Sequence, residues 1–142
     1  MKNLFLLRHA KSSWDNAALG DFDRPLSKRG ISNAIQLSEY IQKHSISFDL
    51  VLSSPSERTQ STLDLVLNPF DPIPTTSLKE SIYHASPSNL SQLIKELDDE
   101  INNLLIIGHN PGLHILTETL TNESIVKFPT CALAKITNFN HW

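Results

Sequence analysis

The sequence predicts a three-layer α/β sandwich, a mostly parallel central sheet with helices on both faces. Three apolar runs, Leu4–Leu7, Leu50–Leu52 and Leu104–Ile107, lack polar alternation, as strands covered on both faces do. Helical patterns separate these runs and supply the crossovers that parallel strands require. A chain of 142 residues, 39% of them hydrophobic, is long enough to bury the core such a sandwich needs.

After the first strand, a helix is predicted from about Ser27 to Lys43, with Ile31, Ala34, Ile35, Leu37 and Ile41 near a 3.6-residue period and Gly30 weakening its start. The second strand runs into Ser54-Pro55-Ser56-Glu57, read as a helix start in which Ser54 caps, Pro55 takes the first helical position and Glu57 completes a capping box. A third helix follows Ser86-Pro87 and carries Leu90, Leu93, Ile94 and Leu97. A fourth opens at Asn110-Pro111 after the third strand and carries Leu113, Leu116 and Leu120. A final strand holds Ala132, Ala134 and Ile136.

No repeat, low-complexity tract or Gly/Ser linker divides the chain, so residues 1–142 are expected to form one domain. Charged residues at 19%, with 4 Gly and 8 Pro, exclude a disordered or fibrous chain. Twelve Lys and Arg against 15 Asp and Glu give a net charge of -3, without the basic footprint of a nucleic-acid partner. Near the start the longest apolar run is Leu4–Leu7, too short for a signal-peptide core or a membrane span. Cys131 is the sole cysteine, which excludes an intramolecular disulfide. The expectation is a cytoplasmic protein with no membrane or nucleic-acid partner.

Each apolar run ends in polar residues: Arg8-His9, then Ser53 to Arg58, then Gly108-His109-Asn110. Parallel strands bring their carboxyl ends to one edge, where ligands of open α/β sheets bind. Arg8, His9, Arg58 and His109 are therefore expected around one crevice. Arg58 falls in the first turns of its helix, where the macrodipole disfavours a cation, unless an anion sits between them. Backbone N–H groups and a bidentate guanidinium together suit a phosphate dianion.

A neutral His9 has a lone pair able to attack phosphorus and form an N–P bond. Two arginines and a second histidine, His109 as a charged donor, would stabilise the equatorial oxygens. The scheme calls for no metal and no cofactor. His44, His84, His114 and His141 show no metal-ligand spacing. Residues Ala10 to Leu26 form a long loop on which Trp14 and Phe22 are placed to frame the entrance.

Leu7-Arg8-His9-Ala10-Lys11-Ser12-Ser13-Trp14 resembles the Arg-His signature of the histidine phosphatase superfamily, also called phosphoglycerate mutase-like, and more narrowly its SixA-type phosphohistidine phosphatase branch. Asp21 to Gly30, Leu52 to Thr62, Gly108 to Leu113 and Lys127 to Thr130 follow in family order. The resemblance implies a phosphoglycerate mutase-like fold, His9 as phosphorylated nucleophile, and Arg8, Arg58 and His109 as ligands of the transferring phosphoryl group. It implies a phosphate contact for Ser12, a substrate-orienting role for Arg24 and, by position, Glu80 as a proton-donating acid. Two departures stand out: His84 where similar sequences often have glutamate, and Cys131 where glycine is common.

A short chain leaves little room for substrate-specific insertions, so an open, shallow pocket is expected, able to admit a histidine on a protein surface. The leading function is hydrolysis of phosphohistidine on a protein through phospho-His9. Kept beside it are a small-molecule phosphomonoesterase of the same mechanism and a non-catalytic phosphate-binding adaptor. The partner is accordingly a phosphohistidine-bearing protein or a small phosphorylated substrate.

Overall fold

The protein is described by a computed structural model covering residues 1–142. Its strands are β1 (Lys2–Arg8), β2 (Leu50–Ser53), β3 (Thr75–Leu78), β4 (Asn103–Gly108) and β5 (Leu133–Phe139). Its α-helices are α1 (Lys28–Lys43), α2 (Glu57–Leu67), α3 (Pro87–Lys95) and α4 (Gly112–Thr121), with short 3-10 turns at Asp21–Asp23 and Glu80–Ile82. The sheet runs β3-β2-β4-β1-β5. Every pairing is parallel except that of β5 with β1.

Side chains alternate across a strand, so a run without alternation must be buried on both faces. That is how β1 is used. Phe5 and Leu7 face one core with Val51, Leu105 and Ile107, closed by Ala34 and Ile41 of α1 and Leu63, Val66 and Leu67 of α2. Leu4 and Leu6 face the other, with Leu52, Leu104 and Ile106, under Leu90 and Ile94 of α3 and Leu113 and Leu116 of α4. Each fully buried leucine contributes on the order of 1.5–3 kcal/mol. No helix is long and apolar enough to cross a membrane.

Register places the site. Arg8 pairs with Gly108 and Ser53 with Ile107, so β1, β2 and β4 end level with one another. Two helix starts follow local chemistry: Ser27 Oγ accepts the Gly30 N–H at 3.1 Å, and Ser86 Oγ accepts the Asn89 N–H at 3.2 Å with Pro87 opening α3. Gly30 costs helix propensity, yet a Cβ there would overlap the Lys11 carbonyl oxygen, so the glycine lets the 10–26 loop lie on α1.

The start of α2 differs from the expected one. The helix begins at Glu57 with Ser56 before it; Ser54 and Pro55 lie outside, and the Ser54 hydroxyl accepts the Ser56 N–H at 3.3 Å and a hydrogen from His109 Nε2 at 2.8 Å rather than an N–H of α2. Ser56 does not bond the helix backbone either; its hydroxyl pairs with Thr59 Oγ1 at 2.7 Å. Similarly, α4 starts at Gly112, two residues after Asn110, and Ala132 lies just before β5. Strand β3 has no counterpart in the predicted elements. Its residues Thr75-Thr76-Ser77-Leu78 form a mostly exposed edge, so no apolar run marks it.

Candidate active site

At the level strand ends lies a cleft of about 270 Å³ lined by Arg8, His9, Ser12, Arg24, Arg58 and His109, all expected there. Asp21, His84 and Asn110 also line it. Glu80 does not. It is exposed in the Glu80–Ile82 turn, which buries Ile82 and brings His84, rather than the glutamate expected as acid, to the cleft.

His9 follows β1 directly and is held on three sides. Its N–H donates to the Gly108 carbonyl at 3.1 Å and its carbonyl accepts the Cys131 N–H at 3.0 Å. Ring Nδ1 lies 2.7 Å from the Ala10 carbonyl. A carbonyl can only accept, so Nδ1 carries the hydrogen and Nε2 keeps its lone pair. The only group on that lone pair is Arg58 Nε, donating at a long 3.3 Å. Thr62 braces the segment, accepting the Ala10 N–H at 3.0 Å and donating to the Arg58 carbonyl at 2.7 Å.

Arg58, the second residue of α2, is 2% exposed. Its Nη1 donates to the Asp21 carbonyl at 2.6 Å, and its Nη2 to Asp21 Oδ2 at 3.0 Å and His109 Nδ1 at 3.4 Å. Because Arg58 supplies the hydrogen to Nδ1, the other nitrogen of His109, Nε2, donates to Ser54 Oγ at 2.8 Å. The two histidine rings lie 5.2 Å apart. Arg8 Nη1 donates to the Phe128 carbonyl at 3.1 Å, while its Nε is buried without a partner. An orphaned buried donor beside a cleft fits an oxyanion oxygen.

Arg24 organises the entrance loop. It donates to Ser12 Oγ at 2.6 Å and the Ser13 carbonyl at 3.3 Å, pairs with Asp21 Oδ1 at 3.2 Å, and lies 3.5 Å over the Trp14 ring. Ser12 is thus held by Arg24 in this structure. Trp14 reaches the cleft wall, whereas Phe22 packs edge-on against Tyr83 at 5.1 Å.

Two polar residues were missed from sequence. Asp21 gathers Arg58, Arg24, Tyr83 and His84 on one exposed carboxylate. Ser54 orients His109 from 55 positions away. Asp21 lies in the quoted Asp21 to Gly30 segment, but no local spacing ties it to Arg58. Ser54 had been spent on a helix cap that α2 does not use.

Burial, reinforced by Arg58, Arg8 and Arg24 against the Ala10 hydrogen bond, pushes His9 down to about 4. Burial, with His9, Arg58 and His84 adding to it, pushes His109 down to about 3. The expectation of a charged His109 is therefore corrected: both imidazoles are neutral near pH 7. Burial raises the Asp21 carboxyl, but hydrogen bonds from Tyr83, Arg58 and His84 outweigh it and hold it well below the usual carboxylate range.

The match to the histidine phosphatase superfamily, branch 1, spans residues 4–86, more than half of the chain. The chain belongs to the histidine phosphatase superfamily. An uncharacterized chloroplastic protein of Arabidopsis thaliana is 32% identical over 99% of this chain and 69% of its own length. An uncharacterized Mycobacterium tuberculosis protein is 30% identical over 96% of this chain and 89% of its own. Among solved structures, a protein described as the phosphohistidine phosphatase SixA of Agrobacterium tumefaciens superposes with a TM-score of 0.88 at 28% identity, covering 94% of this chain and 90% of that one. This histidine phosphatase thus has the phosphoglycerate mutase-like fold of the SixA-type branch, and phosphatase chemistry is the activity its family supports.

The depressed histidines set a pH dependence. Unfolded, each imidazole takes up a proton near pH 6.5. Folded, His9 and His109 resist protonation down to about 4 and about 3. Between those limits the unfolded chain binds more protons, so stability present above pH 6.5 is lost as pH falls. The urea midpoint is expected to drop steadily from pH 7 to pH 4, and to drop less in His109→Asn. Parallel curves for the two proteins would refute this.

Proposed function

We propose that the protein hydrolyses phosphohistidine on a partner protein through a covalent phospho-His9 intermediate, without a metal. The observation that carries this reading is His9 Nε2, a lone pair at the cleft with Arg58, Arg8 and His109 grouped around it. The lone pair attacks phosphorus, the N–P bond of a substrate imidazole protonated on its other nitrogen breaks with its electron pair, and that ring leaves as neutral imidazole. Water then attacks phosphorus and gives up a proton to solvent, and the pair of the N–P bond returns to His9 Nε2, whose Nδ1 keeps its hydrogen. Arg58 and Arg8 carry the charge of the equatorial oxygens through both steps, with His109 as a neutral partner turned by Ser54. Ser12 and Arg24 shape the loop on which the substrate rests.

Size supports a substrate presented from outside. A cleft of about 270 Å³ falls below the roughly 300–1,000 Å³ of sites that enclose whole small ligands. Trp14 at its edge is 73% exposed. Such a site grips a phosphoryl group and leaves the rest of the substrate in solvent.

The test offers the protein a chemically phosphorylated histidine-containing protein and, in parallel, a generic aryl phosphate, each with and without a chelator. Faster loss of the N-phosphate, unchanged by chelation, is expected. Preferred turnover of the aryl phosphate would move the assignment to a small-molecule phosphomonoesterase. Silence on both, with tungstate still bound, would leave a phosphate-binding adaptor.

A further inference from the structure

We propose that His84, positioned by Asp21, is the proton donor to the leaving group when a phosphoryl group passes to His9, which equips the same site for phosphate monoesters with poor leaving groups. The inference rests on the phospho-His9 reading above.

His109 neighbours both of the other imidazoles that line the cleft. Ring centroids of His9 and His109 lie 5.2 Å apart, and those of His109 and His84 another 5.2 Å. His9 is 7% exposed and His109 4%, whereas the side chain of His84 is 53% exposed. His9 and His109 thus lie at the floor of the cleft and His84 at its mouth. In-line displacement puts the leaving atom opposite the nucleophile, with the equatorial oxygens between. With His9 attacking from the floor and His109 at the flank, the leaving atom is on the side where His84 stands.

Hydrogen bonding leaves one nitrogen of His84 to work. Nε2 lies 3.0 Å from Asp21 Oδ2, and an ionised carboxylate only accepts, so Nε2 carries a hydrogen. Nδ1 has no partner in the protein. A carboxylate holding one imidazole nitrogen while the other exchanges a proton is a recurring catalytic arrangement.

The backbone holds His84 in place. Its φ of 52° is left-handed, uncommon for a residue with a side chain and typical of sites where the surroundings impose the conformation. Those surroundings are visible: Ile82 is buried in the core on one side, and on the other the Ala85 carbonyl packs where a Cβ on Gly112 would sit. Asp21, Tyr83 and His109 are the titratable groups facing the ring, and Arg58 is the nearest cation joined to it through Asp21.

The step balances. His9 Nε2 forms the N–P bond as the P–O bond of the ester breaks. The electron pair goes to the leaving oxygen, which takes the proton of a protonated His84 Nδ1 and departs as the alcohol. His84, half in solvent, recovers its proton from water. A nitrophenolate leaves without a proton, whereas an alkoxide needs one.

The experiment measures single-turnover phosphorylation of His9 by 4-nitrophenyl phosphate and by an alkyl phosphate, in the native protein and in His84→Asn. Asn accepts a left-handed backbone and has no transferable proton, and the nitrophenyl donor controls for the lost contact with Asp21. General acid catalysis contributes roughly 10²–10⁴-fold, so the variant is expected to lose on the order of 100-fold with the alkyl donor and at least about tenfold less with the nitrophenyl donor. Equal losses on both donors, or none, would overturn the role of His84, as would a native protein that uses only the nitrophenyl donor. The phosphohistidine protein, used as a third donor, separates the two failures: phospho-His9 formed from it but from neither ester would overturn this inference alone, and no phospho-His9 from any of the three would overturn the phospho-His9 reading and this inference with it.

Discussion

His9→Ala is expected to lower turnover of a phosphohistidine protein by at least ~10⁴-fold, the scale on which enzymes lose rate when a nucleophile is deleted. Little of the fold depends on the imidazole. The strand end is held by main-chain bonds from His9 to Gly108 and from Cys131 back to Arg8 and His9, all of which alanine keeps. The side chain contributes only the Ala10 contact and the long bond from Arg58. Removing it also removes an imidazole that must stay neutral among three guanidinium groups. The variant should therefore fold, bind tungstate and fail to turn over. The check pairs steady-state rates with trapping of the acid-labile phosphoprotein, which should be present in the native protein and absent from His9→Ala. Near-native turnover by the variant would remove His9 as the nucleophile.

Arg58→Ala is expected to have the second largest effect, and on two properties at once. Arginines that neutralise a transferring phosphoryl group are worth roughly 10³–10⁵-fold in rate, which sets the expected loss. The same side chain ties the entrance loop to α2, since its Nη atoms hold both the carbonyl and the carboxylate of Asp21. Alanine would leave the Asp21 carboxylate with its other partners and the 10–26 loop without this anchor, so faster proteolysis within that loop should accompany the loss of rate. Arg58→Lys should rescue neither, because an ammonium cannot reach His9, His109 and Asp21 together as the planar fork does. A lysine variant with most of the native activity would show that Arg58 acts only as a point charge.

The readings that survived from sequence rest on short-range or periodic rules. Uninterrupted apolar runs marked β1, β2 and β4, and a helix start was legible where a serine hydroxyl accepts the N–H three residues on, as at Ser27 and Ser86. At Ser54 a distant residue takes the hydroxyl's acceptor side and the local rule failed. That residue is His109, and the helix starts at Glu57. Cys131, noted as standing where glycine is common, turns out to have a left-handed φ of 62°, a conformation that favours glycine, while its N–H caps the end of β1.

By itself the sequence determined the α/β class and the gathering of Arg8, His9, Arg58 and His109 at one sheet edge, because strand periodicity and the common direction of parallel strands leave those residues no other place. Only the tertiary structure decided what they do to one another. Asp21 meets Arg58 across 37 positions, Glu80 turns outward while His84 turns to the cleft, and burial beside cations strips His109 of the charge expected for it. Such outcomes depend on loop paths and on the loss of water around a charge, and both of these are set by residues distant in sequence.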